Sequence, residues 1–220
     1  MNIPIPVSGE SDRVTTSTAV MPSTAGAALW SRRMADSMII RHTPATARWH
    51  YGHGLLLWAI DQVGLASGDS ASGDTRYRQY VRDICDLFIG SDGEIRTWRK
   101  EEYNLDQINH GNILFPLWRE SGENRYQQAL DLLRLQMAHQ PRNASGGFWH
   151  KLIYPYQMWL DGIYMAGPFL ARYATTFGKP ELYDEVVRQI LLITEKCRDP
   201  QSGLLYHAWD ESRVQPWSDP

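Results

Sequence analysis

The 220 residues predict an all-α protein: a toroid of α/α hairpins, of which about the first seven helices are present. Three observations point there. Apolar residues recur at helical spacing through most of the chain, a phrase opening with tyrosine returns at intervals of 49 and 57 residues, and two kinds of helix alternate.

Residues 1–24, rich in Ser, Thr, Pro and Val, carry no helical period and are expected to form a mobile leader ahead of a helical domain over 25–220. From Ala27 a helix runs to near Pro44, placing Leu29, Trp30, Met34 and Met38 on one face. Three helix pairs follow, at about 49–65 and 77–89, 105–119 and 126–139, and 155–176 and 181–196. The second member of each pair opens with Tyr77-Arg-Gln-Tyr-Val, Tyr126-Gln-Gln-Ala-Leu or Tyr183-Asp-Glu-Val-Val. First members are apolar nearly all round, as in Trp159, Ile163, Met165 and Phe169, so they are enclosed. Second members set Leu130, Leu133 and Met137 against Asp131, Arg134 and Gln136, which suits an outer ring. Gly147–His150 and Gly203–His207 read as short hairpin-like loops. A closed toroid of six hairpins calls for about twelve helices, so these seven are expected to be a fragment or an open arc.

Composition narrows the function. Twenty-two basic and 25 acidic side chains are spread along the chain without a Lys/Arg stripe, which argues against a nucleic-acid partner. No apolar run reaches the ~18 residues of a membrane span, and no signal peptide is visible at the N-terminus, so a cytoplasmic location is expected. Cys85 and Cys197 lie in apolar helical patterns and read as buried thiols of a reducing compartment. Nine tryptophans supply faces for sugar rings, although they serve equally well as core filler. No dinucleotide, phosphate-loop or nucleophile-elbow motif occurs, and the histidines lack ligand spacing, so neither a cofactor nor a metal is expected.

Two carboxylates remain. Asp161 stands among Trp159, Met158 and Gly162, an apolar setting expected to raise its pKa and suit it to proton donation. Asp106 falls in Asn104-Leu-Asp-Gln107, where Asn104 would cap a helix with Gln107 in the reciprocal position and the helix dipole would favour the ionised form. Each reads equally well as an ordinary helix-terminal aspartate.

Gly146-Gly-Phe-Trp-His-Lys, then Tyr154-Pro-Tyr-Gln-Met-Trp-Leu-Asp-Gly-Ile-Tyr-Met-Ala-Gly-Pro-Phe, then His207-Ala-Trp-Asp-Glu resembles glycoside hydrolase family 105, the unsaturated rhamnogalacturonyl hydrolases. Trp49-His-Tyr-Gly-His-Gly and Asn104-Leu-Asp-Gln-Ile-Asn-His-Gly match other stretches of that family in order. The resemblance implies an (α/α)6 barrel that takes unsaturated galacturonic acid off pectin fragments by hydrating its C4–C5 enol ether. It implies Asp161 as proton donor and then base, and Asp106 as the second acid. Tyr51, His150, Trp159 and His207 would line the sugar subsite. An unsaturated glucuronyl hydrolase, a sugar epimerase and a catalytically silent carbohydrate-binding module are the rival readings. The family continues past Trp217, so the inner helices are expected to expose apolar faces and to drive self-association.

Overall fold

The computed structural model describes residues 24–66, 75–215 and 217; the leader through residue 23 and the polar turn at 67–74 lie outside them. Helices α1 (Thr24–Arg41), α2 (Tyr51–Ala66) and α3 (Arg76–Phe88) are followed by α4 (Leu105–Asn109), a 3-10 turn (His110–Ile113) and α5 (Leu114–Ser121). Then come α6 (Asn124–Ala138), strand β1 (Gln157–Trp159), α7 (Leu160–Phe177), α8 (Glu181–Cys197) and strand β2 (Ala208–Asp210). Among the described residues, seven helical rods result if α4 and α5 are taken as one interrupted rod. The rods α2, α4–α5 and α7 pack on one another, and α3, α6 and α8 each back one of them, which is the inner and outer arrangement expected.

Two expected helices differ from the pattern. The rod at 105–121 breaks because Pro116 cannot donate a backbone hydrogen bond and its ring crowds the carbonyl of Asn112, leaving a 3-10 turn at His110–Ile113. Residues 155–159 are a turn and a strand rather than the start of α7. Met158 and Trp159 pair with Trp209 and Ala208 of β2, antiparallel. Further along α7, Pro168 releases the Tyr164 carbonyl, and the Asn109 side-chain amide donates to it at 3.2 Å.

Outer helices repeat more deeply than the tyrosine phrase. After α3, α6 and α8 the chain makes a tight hairpin closed by the bridges Ile89–Ile95, Arg142–Phe148 and Arg198–Leu205. Each turns on a glycine with positive φ: Gly93, Gly146 and Gly203. Tyr77 and Tyr126 are buried and send their hydroxyls to Asp36 of α1 and Asp86 of α3, at 2.9 and 2.5 Å. Tyr183 is exposed, and Leu182 fills the corresponding buried position, so the third phrase is out of register by one residue.

The main core runs through Leu57, Ile108, Leu114, Phe115, Leu133 and Phe169, all essentially inaccessible. Inner rods approach closely at Gly54, where an added Cβ would lie 2.6 Å from the His110 backbone. Large exposed apolar side chains concentrate on α1 and α8, whereas the inner helices, where exposed apolar faces were expected, show fewer of them. Among the described residues no helix is long and apolar enough to cross a membrane.

Candidate active site

The site forms where α4 and α7 begin side by side. Asn104 caps α4, its side-chain oxygen accepting the Asp106 amide at 3.0 Å. The reciprocal half of the expected cap is absent: Gln107 instead accepts from the Arg99 amide and donates towards Glu102. The loop at 148–157 is fastened to this helix start, with the Leu105 amide donating to the His150 carbonyl and the Leu152 amide to the Glu102 carbonyl. Buried Gln140 ties the same loop down by donating to the Tyr103 and Trp149 carbonyls at 2.7 and 2.8 Å.

These fastenings place His150 and Lys151 on the Asp106 carboxylate. His150 Nε2 lies 3.1 Å from one oxygen and Lys151 Nζ 2.7 Å from the other. Burial alone would push Asp106 up, but the hydrogen bonds and charge from His150 and Lys151 outweigh it and hold the carboxyl at about 2. Asp106 is therefore a fixed anion at any ordinary pH.

Asp161 is built differently. Strand β1 and the Leu160 amide, which donates to the His207 carbonyl at 2.7 Å, set its helix start. Its Oδ1 is covered yet has no hydrogen-bond partner, with His207 Nε2 3.9 Å away, while the side chain as a whole is 41% exposed. The Trp and Met neighbours do not enclose it as the sequence suggests, because β1 turns Met158 into the core beside Ile193 and Trp209. Gly162 clears the space between, since an added Cβ there would lie 3.1 Å from His150 Nδ1. Donor atoms of Asp106, His150 and Asp161 all fall within 4.8 Å of one another.

Rings assemble beside the carboxylates. His150 and Tyr154 stack on Trp159 at 4.5 and 5.0 Å, and His207 and Trp217 meet the same indole at 5.7 and 5.8 Å. The segment bearing His207 is anchored by the two residues after β2's Trp209. Buried Asp210 accepts the amides of Ser212, Val214 and Gln215, and Glu211 accepts the amides of Ala144 and Ser145.

Of the sequence-derived candidates, Asp106, Asp161, His150, Trp159 and His207 converge. Tyr51 does not join them through any described contact; it sits at the start of α2, about one-third exposed, with its ring against His50. Lys151 and Tyr154 were passed over, although both lie inside the stretch that carries the resemblance; only the fold turns them towards Asp106 and Trp159. His110 proves to be a core histidine: stacked on Trp49 at 4.1 Å and accepting the His50 amide, it is pushed by burial down to about 3 and stays neutral.

The trio has the composition of a cation site, and of its donors the Asp106 oxygens are engaged while Asp161 Oδ1 and His150 Nδ1 have no hydrogen-bond partner. Both Asp106 oxygens already face hydrogen-bond donors, and one of those donors is an ammonium. An incoming divalent ion would have to displace Lys151. The arrangement favours acid–base work by Asp161 beside a permanent negative charge.

Comparison with known proteins bears on the family. The chain is 25% identical over 129 residues to the unsaturated rhamnogalacturonyl hydrolase YesR of Bacillus subtilis, covering 53% of this chain and 38% of that protein. A glycoside hydrolase from family 105 of C. acetobutylicum superimposes with a TM-score of 0.79 at 40% identity, over 86% of this chain and 51% of that one. A possible family 105 member from Klebsiella pneumoniae gives 0.61 at 26% identity, over 76% and 42%. The chain thus spans about half the length of these relatives, or less. With the model of Glycosyl Hydrolase Family 88 matching residues 30–220 and family 105 structures as its neighbours in fold, the chain belongs to this group of helical-toroid glycoside hydrolases.

Proposed function

We propose that this chain carries the catalytic residues of a glycosidase that removes unsaturated galacturonic acid from the non-reducing end of rhamnogalacturonan oligosaccharides. The observation that carries this reading is the unequal pair: Asp106 clamped by His150 and Lys151, and Asp161 with a covered, unpartnered oxygen and a donor atom within 4.8 Å of those of Asp106 and His150. An acid beside a fixed anion would serve displacement at the anomeric carbon as well, and the family resemblance is what favours hydration here. Hydration of an enol ether uses both halves.

In this reaction Asp161, in its protonated form, gives its proton to C4 as the C4–C5 π pair forms the new C–H bond. Positive charge then develops at C5 and the ring oxygen, where the fixed Asp106 anion stabilises it. The Asp161 carboxylate next takes a proton from water as the water oxygen bonds to C5. The hemiketal so formed opens and releases the aglycone alcohol. His150, Trp159 and His207 hold the uronate ring, and Tyr51 does so only if substrate draws α2's N-terminus inward. Reduced, buried Cys85 and Cys197 suit a cytoplasmic enzyme that processes imported oligosaccharides.

The test is loss of ultraviolet absorbance from the conjugated enol ether when the protein meets Δ4,5-unsaturated galacturonyl-rhamnose. An unsaturated glucuronyl disaccharide is run beside it. Faster turnover of the glucuronyl substrate would replace the rhamnogalacturonan assignment, and activity confined to saturated disaccharides would sink the mechanism.

A further inference from the structure

Two glutamines are buried where α6 ends. Gln136 lies in the last turn of that helix and Gln140 just past it, and both are almost wholly inaccessible. With Trp98 they form a ladder of hydrogen bonds whose direction is dictated from its ends. An indole N–H can only donate, so Gln136 turns its oxygen to Trp98 Nε1 at 2.9 Å. Its amide nitrogen then donates to the Gln140 oxygen at 3.2 Å and towards the Asn104 carbonyl at 3.4 Å. The Gln140 nitrogen faces the Tyr103 and Trp149 carbonyls, which can only accept. Neither amide can flip without setting donor against donor or acceptor against acceptor.

The two hydrogens of the Gln140 amide therefore join two particular segments. Tyr103 immediately precedes Asn104, the cap of the helix that carries Asp106. Trp149 immediately precedes His150 and Lys151, the two donors on the Asp106 carboxylate. Tyr103 is held at a φ of 42°, a conformation that a residue with a side chain seldom keeps unless its surroundings fix it. Backbone bonds from Leu105 to His150 and from Leu152 to Glu102 cross between the same segments. Gln140 adds a link through a planar group of fixed spread, so it sets how far apart the acid and its donors lie.

We propose that Gln140 is a positioning residue of the reaction: it bonds to neither aspartate, but it aims His150 Nε2 and Lys151 Nζ at the Asp106 carboxylate. The role rests on reading Asp106 as the stabilising anion of the proposed hydration. The bonds that Gln140 sets can nevertheless be read without any turnover.

The test is proton NMR of the folded 220-residue chain at neutral pH, followed by kinetics. In wild type the His150 Nε2–H, bonded to a buried carboxylate, is expected to give a resolved downfield signal in slow exchange with water. Gln140→Met keeps length and bulk and removes both donors. The signal is expected to move upfield or vanish while helical circular dichroism is retained. A glutamine that only stabilises the fold would lower the unfolding midpoint and leave the signal in place, and that outcome overturns the proposal. Trp98→Phe removes only the donor at the far end of the ladder and is expected to move the same signal by less. Should Gln140→Met fail to fold, an unmoved signal in Trp98→Phe overturns the positioning role. On unsaturated galacturonyl-rhamnose, Gln140→Met is expected to lower kcat at least about tenfold while KM changes less than about threefold. In a Lys151→Met background the same substitution is expected to cost less, because one of the donors it aims is gone. Fully additive losses overturn the proposal. Loss of the signal in a chain whose wild type turns over neither unsaturated uronyl substrate supports the positioning and counts against the proposed function instead.

Discussion

Asp106 and Asp161 occupy the same place in two inner rods, each the second residue of its helix after a leucine, yet they are opposites in every other respect. Asp106 follows a side-chain cap, is buried, and is gripped by His150 and Lys151. Asp161 follows a strand residue without a side-chain cap, is part-open, and keeps one oxygen unpartnered. Helix position alone therefore does not distinguish a clamped anion from a part-open carboxylate with an unpartnered oxygen. What separates them is the loop at 148–157, which delivers both donors to one acid and neither to the other.

The comparison breaks most readily at Asp161. Asp161→Asn keeps shape and removes the proton, so kcat is expected to fall by about 10²–10⁴ with unfolding unchanged, read from single-turnover kinetics and circular dichroism. Near wild-type turnover would reverse the roles assigned to the two acids.

Lys151→Met comes next and tests the grip on Asp106. Because Asp106 is held at about 2, below the ordinary 3.8, its contribution to stability is full above the unfolded-state value and is lost as pH falls from 3.8 through about 2. Without the ammonium, Asp106 rises, and the acid-unfolding midpoint is expected to move to higher pH. An unmoved midpoint would show that His150 holds the anion alone.

Asn104→Ala is expected to cost about 0.5–2 kcal/mol in denaturant unfolding, the usual worth of an N-cap, and to have no counterpart before Asp161. Smallest in stability is His207→Asn. Its side chain is 65% exposed, so unfolding should change by no more than about 0.5 kcal/mol, while KM rises if the ring holds substrate.

Much of this was legible in the sequence. Helical spacing located the rods, and alternation of all-round apolar with amphipathic helices separated inner from outer, because burial writes itself into periodicity. Pro116 and Pro168 were equally visible, but what they did was not: the Asn109 amide that satisfies the freed Tyr164 carbonyl lies 55 residues away. The reciprocal cap at Gln107 failed because Arg99 and Glu102 compete for that side chain, and both belong to a short 3-10 turn over Lys100–Glu102 that sequence periodicity does not reveal. Lys151 shows the general difficulty. A lysine in a polar-aromatic loop is indistinguishable from a solvated one until the loop's path aims it.

The Glu211 clamp has a consequence for the order in which the molecule assembles. The inner rods are joined by contacts such as Asn109 to Tyr164 and His50 to His110, 55 and 60 residues apart, and Glu211 reaches further still, 67 residues back to the Ala144 amide. Contacts of such separation form late, after the loop-closure entropy between them has been reduced by the intervening helices. The segment with His207 should therefore be the last to settle and the first to come loose. Amide exchange would reveal this as fast exchange at Leu160, whose partner is the His207 carbonyl, against slow exchange through the buried middle of α7.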